Sequence, residues 1–283
     1  MQPIVPIVGI SKISASYDAV MLGFDGVLTK GDGLIAEALE ALKKLHLAGK
    51  EIVLLSNTPL RISSLADILR SGGVDLSIFK AIITSGEVMH YYLKNKTIGH
   101  GRYFNIGGGY DDKIFENLPY QKVSDMNEAD FIFIANTADN KPSVDDYMPD
   151  LQAGLALNLP LLCVGTDVAR HKNGEVCLAS GAVAEQYATI GGKIVTVGKP
   201  DPKIVRYAGE AFSQNVKKIL FIGDSLTCDM KSAATVKADM LLISKGIHMC
   251  ALGEGYIPDV QKTRMLALNY DVYPNFVISG LRY

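Results

Sequence analysis

The sequence predicts an α/β fold in which a Rossmann-like parallel sheet carries helices on both faces, and three observations lead to this prediction. Residues 19–24 form a continuous apolar run of strand length. Residues 34–48 follow, with apolar side chains near the helical spacing. A second apolar run, 52–55, then returns to strand length. Because a strand that is apolar on both faces must be covered on both, this alternation indicates a parallel sheet between two layers of helices.

The remaining elements of this sheet follow in order along the chain. Gly49 ends the first helix, because glycine tolerates the backbone conformation that stops a helix. Thr58 and Pro59 predict the start of the second helix, as its N-cap and its first helical residue. Three more apolar runs of strand length stand at 81–84, 219–222 and 239–243. A helical pattern stands at 87–94.

Residues 97–195 show an alternation of their own. Apolar runs of strand length stand at 102–106, 131–135 and 161–164, and a helical pattern stands at 144–157. The segment also holds most of the loop-type composition of the chain, including three consecutive glycines at 107–109. The sequence therefore predicts a small α/β domain, residues 97–195, inserted into a first domain made of residues 1–96 and 196–283.

Length, composition and charge exclude several classes of protein. A chain of 283 residues, 48% of them apolar, can bury a sizeable core and is not disordered. The 28 Lys and Arg residues nearly balance the 30 Asp and Glu residues, which gives a net charge of −2. This balance argues against a nucleic-acid partner, which would require a basic face.

The sequence also argues against a membrane protein. The longest uncharged apolar stretch, 151–166, is about 16 residues, whereas a membrane helix needs roughly 20. The first ten residues have no basic segment, which argues against a secretory signal. None of the four cysteines stands in a CxxC pair, a pattern typical of reduced thiols. We therefore expect a cytoplasmic protein without a membrane partner.

Polar residues follow several predicted strands, at the end where a parallel sheet binds its ligands. The segments are Gly23-Phe24-Asp25-Gly26, Ser56-Asn57, Gly198-Lys199-Pro200-Asp201-Pro202 and Gly223-Asp224-Ser225-Leu226-Thr227-Cys228-Asp229. Each is modest alone, since an Asp at a strand end is more often a helix N-cap than a metal ligand. Together and in this order, they resemble the motifs of the haloacid dehalogenase (HAD) superfamily of phosphotransferases. The resemblance covers nearly the whole chain.

The spacing of these segments indicates a branch of that family. Asp25 and Ser56 lie 31 residues apart, which leaves room for one helix, whereas 142 residues separate Asn57 from Lys199. The long interval resembles the class IIA group, whose cap domain lies between the second and third motifs. That group includes phosphatases of sugar phosphates, nucleotides, phosphoglycolate and pyridoxal phosphate. The resemblance thus implies a phosphoric monoester hydrolase that uses Mg²⁺ on a small phosphorylated metabolite, and it is compatible with a homodimer formed through the cap.

The resemblance also implies roles for individual residues. Asp25 is the expected general acid and base, and its backbone carbonyl is an expected metal ligand. Ser56 and Lys199 are expected to hold the phosphoryl group. Asp224 is expected to bind Mg²⁺, and Asp229 either completes the metal site or pairs with Lys199. These residue types suit phosphoryl transfer, which needs charge neutralised around the phosphoryl oxygens more than elaborate covalent chemistry.

Substrate-binding roles are implied for Asn57, Gly26 and Asp167. Asp167 ends the segment Gly165-Thr166-Asp167, where class IIA proteins often carry Asn-Pro-Asp near the substrate. It is the specificity candidate of the sequence, and a turn or N-cap role for it is equally open.

The first motif departs from the family at the nucleophile position. The family has an aspartate two residues before the acid/base aspartate, and this chain has Gly23. Glycine supplies no carboxylate to attack phosphorus, and losing a covalent nucleophile costs about 10⁶ in rate. Three interpretations stay open: a weakened phosphatase that uses water directly, an inactive pseudo-phosphatase that binds a phosphorylated ligand, and a variant of an active enzyme.

Overall fold

The computed structural model describes residues 3–31, 33–172 and 175–283. The strands in those residues are β1 (Val5–Pro6), β2 (Ala19–Leu22), β3 (Thr29–Lys30), β4 (Gly33–Leu34), β5 (Glu51–Ser56), β6 (Phe79–Thr84), β7 (Arg102–Asn105), β8 (Gln121–Lys122), β9 (Phe131–Ile134), β10 (Leu161–Val164), β11 (Ala169–Lys172), β12 (Glu175–Leu178), β13 (Ile194–Val197), β14 (Ile219–Gly223), β15 (Asp239–Ile243) and β16 (Phe276–Ile278).

The α-helices in the same residues alternate with these strands over most of the chain. They are α1 (Ala36–Leu47), α2 (Ile62–Ser71), α3 (Ser85–Lys94), α4 (Met148–Ala156), α5 (Ser180–Thr189), α6 (Pro202–Glu210), α7 (Lys231–Thr235), α8 (Met249–Leu252) and α9 (Val260–Tyr270). No helix within the described ranges combines the length and the apolar character that crossing a membrane requires.

The larger sheet is parallel throughout, with the strand order β1-β16-β15-β14-β2-β5-β6. This confirms the predicted α/β class. Leu22 of β2 is in register with Ile222 of β14 on one side and with Leu54 of β5 on the other. The residues that follow these three strands therefore emerge at the same edge of the sheet.

Both faces of the larger sheet are covered, as its continuously apolar strands predict. Leu22 faces a cluster that includes Leu42 of α1, whereas its neighbour Met21 faces a second cluster that includes Val205 of α6. Side chains of successive strand residues point to opposite faces, so both faces of β2 are buried. The sheet is thereby a rigid platform for the loops at its carboxyl edge.

The smaller sheet, with strand order β13-β10-β9-β7-β8, is also parallel. One face packs against α4 and α5 through residues such as Leu151 and Val183. The other face packs against α3 through Met89 and Leu93. Helix α3 thus covers the smaller sheet although it directly follows β6 of the larger one. The domain boundaries at 97 and 195 stay a prediction.

One predicted helix start is wrong. Helix α2 begins at Ile62, three residues after Pro59, because other contacts fix the preceding loop. The Ser56 hydroxyl accepts a hydrogen bond from the Thr58 N–H at 3.0 Å. Glu87 of α3 then accepts one from the Ile62 N–H at 3.2 Å and caps the helix from a distant part of the chain.

Candidate active site

The turn after β2 brings the first motif against the last one. Gly26 has a φ of +72°, and a Cβ at this position would lie 2.0 Å from Oδ2 of Asp224. A side chain would therefore be strained by the backbone conformation and would also collide with the Asp224 carboxylate. Glycine at 26 allows the Asp25-Gly26 backbone to approach that carboxylate directly.

The centre of the site is a buried ion pair. Nζ of Lys199 lies 2.7 Å from Oδ1 of Asp229, and these side chains are 6% and 3% exposed. Burial alone would lower the pKa of Lys199, but the charges of Asp229 and Asp167 outweigh it and raise that pKa. The lysine is therefore a permanent cation in the floor of the site.

A π-helical turn, Leu226–Met230, positions Asp229 after β14. The Ser225 side chain caps the turn by accepting a hydrogen bond from the Cys228 N–H at 3.1 Å. Oδ2 of Asp229 accepts hydrogen bonds from the N–H groups of Asp224 and Ser225 at 3.0 and 3.1 Å. Both carboxylate oxygens of Asp229 are thus engaged within the protein. This favours its pairing role with Lys199 over the metal-ligand role.

Asp224 is a buried carboxylate beside this pair. Its Oδ2 accepts a hydrogen bond from the Ile247 N–H at 2.8 Å. Burial, followed by the negative charge of Asp229, raises the pKa of Asp224 well above its usual range. A buried carboxylate whose charge is disfavoured in this way is the kind of group that a divalent cation stabilises.

Asp25 and Asp167 face the same space. The Asp25 residue is exposed on the cleft, but the surrounding protein desolvates its carboxyl. This desolvation is the larger cause of the rise in the pKa of Asp25 to about 6, and the negative charge of Asp167 is the next. Burial likewise raises the pKa of Asp167. A carboxyl with such a pKa exchanges its proton near neutral pH, as a general acid requires.

Asn57 joins the second motif to the third. Its Oδ1 accepts a hydrogen bond from the Lys199 N–H at 2.7 Å, and its Nδ2 donates one to Oγ1 of Thr166 at 3.1 Å. The Thr166 hydroxyl in turn donates to the Lys199 carbonyl. The polar atoms of Asn57 therefore hold the backbone of Lys199, while Ser56 is buried nearby.

The position of the missing nucleophile is compatible with a side chain. Gly23 is buried, and it lies outside the positive-φ glycines of the described residues. A Cβ at this position would lie 3.5 Å from Nζ of Lys199, from Oδ1 of Asp229 and from Cγ2 of Val27. These are ordinary van der Waals contacts. Unlike Gly26, Gly23 is not required by the backbone or by crowding.

These residues surround a cleft of about 490 Å³ between the two sheets. Apart from Gly23, every predicted site residue lines it: Asp25, Gly26, Ser56, Asn57, Asp167, Lys199, Asp224 and Asp229. The sequence missed Arg170 and His171 of the β11–β12 hairpin, because this hairpin was not predicted. His248 also lines the cleft, and its Nε2 accepts a hydrogen bond from the Leu226 N–H at 3.1 Å.

The donor set for a metal is small. Across residues 3–31, 33–172 and 175–283, no three carboxylate, imidazole or thiol side chains come together as ligands. The Asp224 carboxylate and the nearby Asp25-Gly26 backbone supply oxygen donors, and Mg²⁺ commonly takes one or two carboxylates with water and phosphate. These residues fit Mg²⁺. An aspartate at position 23 would add one more carboxylate to the donor set.

Comparisons with known proteins identify the family of the chain. A family model described as haloacid dehalogenase-like hydrolase matches residues 20–121, and one described as HAD-hydrolase-like matches residues 196–264. The sugar-phosphatase AraL of Bacillus subtilis (strain 168) is 24% identical over 260 residues, 88% of this chain and 93% of that protein. The dihydroxyacetone phosphatase of Corynebacterium glutamicum (strain R) is 25% identical over 240 residues, 83% of this chain and 82% of that protein. A haloacid dehalogenase-like hydrolase from Brucella suis 1330 superposes with a TM-score of 0.78 at 26% identity, covering 96% of this chain and 98% of that one.

Proposed function

The chain belongs to the haloacid dehalogenase superfamily, in its class IIA phosphatase-like group, and we propose that it is a Mg²⁺-dependent hydrolase of small phosphate monoesters. A sugar phosphate is the favoured substrate class, because two related proteins are phosphatases of sugar phosphate or dihydroxyacetone phosphate by name. The proposal includes residues 97–195 as the cap, a cytoplasmic location and a homodimer.

One observation carries the proposal: four residues from three distant motifs meet around one cleft. Lys199 and Asp229 form the buried pair, and Asp25 and Asp224 line the cleft with them. A fixed cation flanked by carboxylates suits a phosphoryl group, whose equatorial oxygens need neutralising charge. When bound beside Asp224, Mg²⁺ would supply further positive charge to those oxygens.

With Gly23 in the chain, the hydrolysis we propose is a single displacement by water. The water oxygen bonds to phosphorus while the bond from phosphorus to the leaving oxygen breaks. Asp25 donates its proton to that leaving oxygen, and the attacking water loses a proton to solvent. Lys199 and Ser56 hold the phosphoryl group in place. This route lacks the covalent step that an aspartate at 23 would supply, so we expect slow turnover.

Gly23 also favours a second candidate function, a non-catalytic protein that binds a phosphorylated ligand. The phosphate-holding groups do not depend on residue 23, whereas the nucleophilic step does. Binding without turnover would therefore follow if water attack in this cleft is negligible.

Paired assays with Mg²⁺ test both candidates. The natural chain, Gly23→Asp and the uncharged control Gly23→Asn are compared on p-nitrophenyl phosphate and dihydroxyacetone phosphate. We expect Gly23→Asp to exceed the natural chain by at least about 10³-fold, and Gly23→Asn to stay at its level. A natural chain that binds but never hydrolyses supports the second candidate. A folded Gly23→Asp that neither hydrolyses nor binds either compound contradicts both.

A further inference from the structure

One wall of the cleft carries a cation that has no anionic partner among the residues that the structure describes. Arg170 of β11 is half-buried, and its Nη2 lies 3.5 Å from Oγ1 of Thr137, at the limit of a hydrogen bond. Its Nε is buried without a hydrogen-bond partner in the part of the chain that the structure describes. Within the same residues, no carboxylate lies at ion-pair distance from this guanidinium.

Arg61 and Arg282 have acceptors that Arg170 lacks among the described residues, and Arg102, whose Nε also has no hydrogen-bond partner there, lies 3.7 Å from Oδ2 of Asp130. Arg61 donates from Nε and Nη2 to Glu87 at 2.8 and 3.0 Å, and from Nη1 to the Lys113 carbonyl at 2.6 Å. Arg282 donates from Nε to the Val8 carbonyl at 2.6 Å. A guanidinium cannot lose its proton in a protein, so enclosing it without acceptors costs free energy that a bound anion would recover.

The position of Arg170 points to the substrate rather than to the fold. Arg170 lines the cleft and also a neighbouring cavity of about 230 Å³, and so does Asn136. The other permanent cation lining the cleft, Lys199, is already paired with Asp229. Asp139 lines the smaller cavity as well, but no ion pair between described residues joins it to Arg170. Among the described residues, the lysine of the cleft is therefore paired with a carboxylate and Arg170 is not.

We propose that Arg170 binds a second anionic group of the substrate, a carboxylate or a phosphate at the end away from the scissile phosphate. This inference rests on the proposed function and narrows its substrate class. The planar guanidinium presents paired N–H donors that match the two oxygens of such a group. His171, the next residue along β11, also lines the cleft and keeps Nε2 buried without a partner among the described residues. It is available as a further donor.

Two probes that differ only at the remote end test this assignment. 3-Phosphoglycerate carries a carboxylate where glycerol 3-phosphate carries a hydroxymethyl group. Their affinities for the natural chain with Mg²⁺ are compared by calorimetry, together with Arg170→Gln, Arg170→Lys and the exposed control Arg206→Gln. The slow turnover expected with Gly23 allows both compounds to be measured as bound ligands.

We expect the natural chain and Arg206→Gln to bind 3-phosphoglycerate at least about tenfold more tightly than glycerol 3-phosphate. Arg170→Gln should bind both probes equally, at the affinity of glycerol 3-phosphate, and Arg170→Lys should keep part of the preference. Equal affinities in the natural chain overturn the inference and leave the proposed function standing. If Arg170→Gln weakened the binding of both probes by the same factor, the inference would also be overturned, because a purely structural role of Arg170 predicts that result. Failure of both probes to bind the natural chain overturns the proposed function as well.

Discussion

A Cβ added to Gly23 would lie 3.5 Å from the ammonium group of Lys199. The buried cation of the site therefore faces a backbone position without a side chain, at a distance where a side chain fits. A Cβ fits at this position, and the carboxylate that the family resemblance implies there is absent. Gly23→Asp is therefore the substitution that tests what this position contributes.

Restoring that carboxylate should strengthen metal binding. Gly23→Asp adds a third oxygen donor beside Asp224 and the Asp25 backbone, and we expect Mg²⁺ to bind at least about tenfold more tightly. Calorimetry in the absence of any phosphate ester measures this directly. Gly23→Asn matches the shape without the charge and should give a much smaller gain. Equal gains in the two variants would assign the effect to packing.

Removing the Asp224 charge should stabilise the metal-free protein. The raised pKa of Asp224 means that its ionised form is disfavoured in the folded state, so the stability penalty grows as the pH rises above the usual range of a carboxyl and is complete above the raised pKa. Asp224→Asn removes the penalty, and we expect a melting temperature about 2–6 °C higher in chelator at neutral pH. In excess Mg²⁺ the natural chain should gain stability and the variant should not. The exposed control Asp145→Asn should behave as the natural chain in both conditions. If Asp224→Asn also gained stability in Mg²⁺, Asp224 would not be a metal ligand.

Substituting Gly26 should cost more than backbone strain alone. Gly26 and Gly49 have φ of +72° and +76°, but a Cβ at Gly49 meets nothing within 4 Å. Gly49→Ala should lose about 1–2 kcal/mol of unfolding free energy, the usual strain of a left-handed residue. Gly26→Ala should lose about 1–3 kcal/mol more, because it displaces the Asp224 carboxylate. Urea denaturation of the two variants gives the comparison, and equal losses would mean that the turn yields easily.

His248 should make the protein sensitive to acid. Burial lowers its pKa from 6.5 to about 4, because the neutral ring accepts the Leu226 N–H in a poorly solvated place. Its contribution to stability is therefore complete above pH 6.5 and is lost as the pH falls through about 4. His248→Gln keeps an acceptor without a titrating charge and should reduce the loss over this range by up to about 3 kcal/mol. Denaturation at several pH values, with the exposed His100→Gln as control, tests this; an unchanged pH profile in His248→Gln would exclude the histidine as the cause.

The sequence predicted five of the seven strands of the larger sheet and the polar motifs, because each is a contiguous run of residues; the short strands β1 and β16 were not predicted. An apolar run such as that of β5 and the polar pair Ser56-Asn57 after it are contiguous in the chain. The start of α2 could not be predicted in this way, because Glu87, 25 residues beyond Ile62, supplies its cap. Arg170 was missed because the β11–β12 hairpin that carries it was not predicted, and only the fold shows that no carboxylate among the described residues pairs with it. Missing contacts leave no pattern in a sequence.

The origin of Lys199 has a consequence for protein engineering. This residue follows β13, which is the edge strand of the smaller sheet, whereas its partner Asp229 follows β14 of the larger sheet. An exchange of residues 97–195 with a relative would cut β13 after its second residue. The recipient would keep its own lysine, but the first two residues of β13, which help to position that lysine, would come from the relative. A junction beyond Val197 would instead keep β13 in one piece, so we expect the choice of junction to decide whether Lys199 keeps its position beside Asp229.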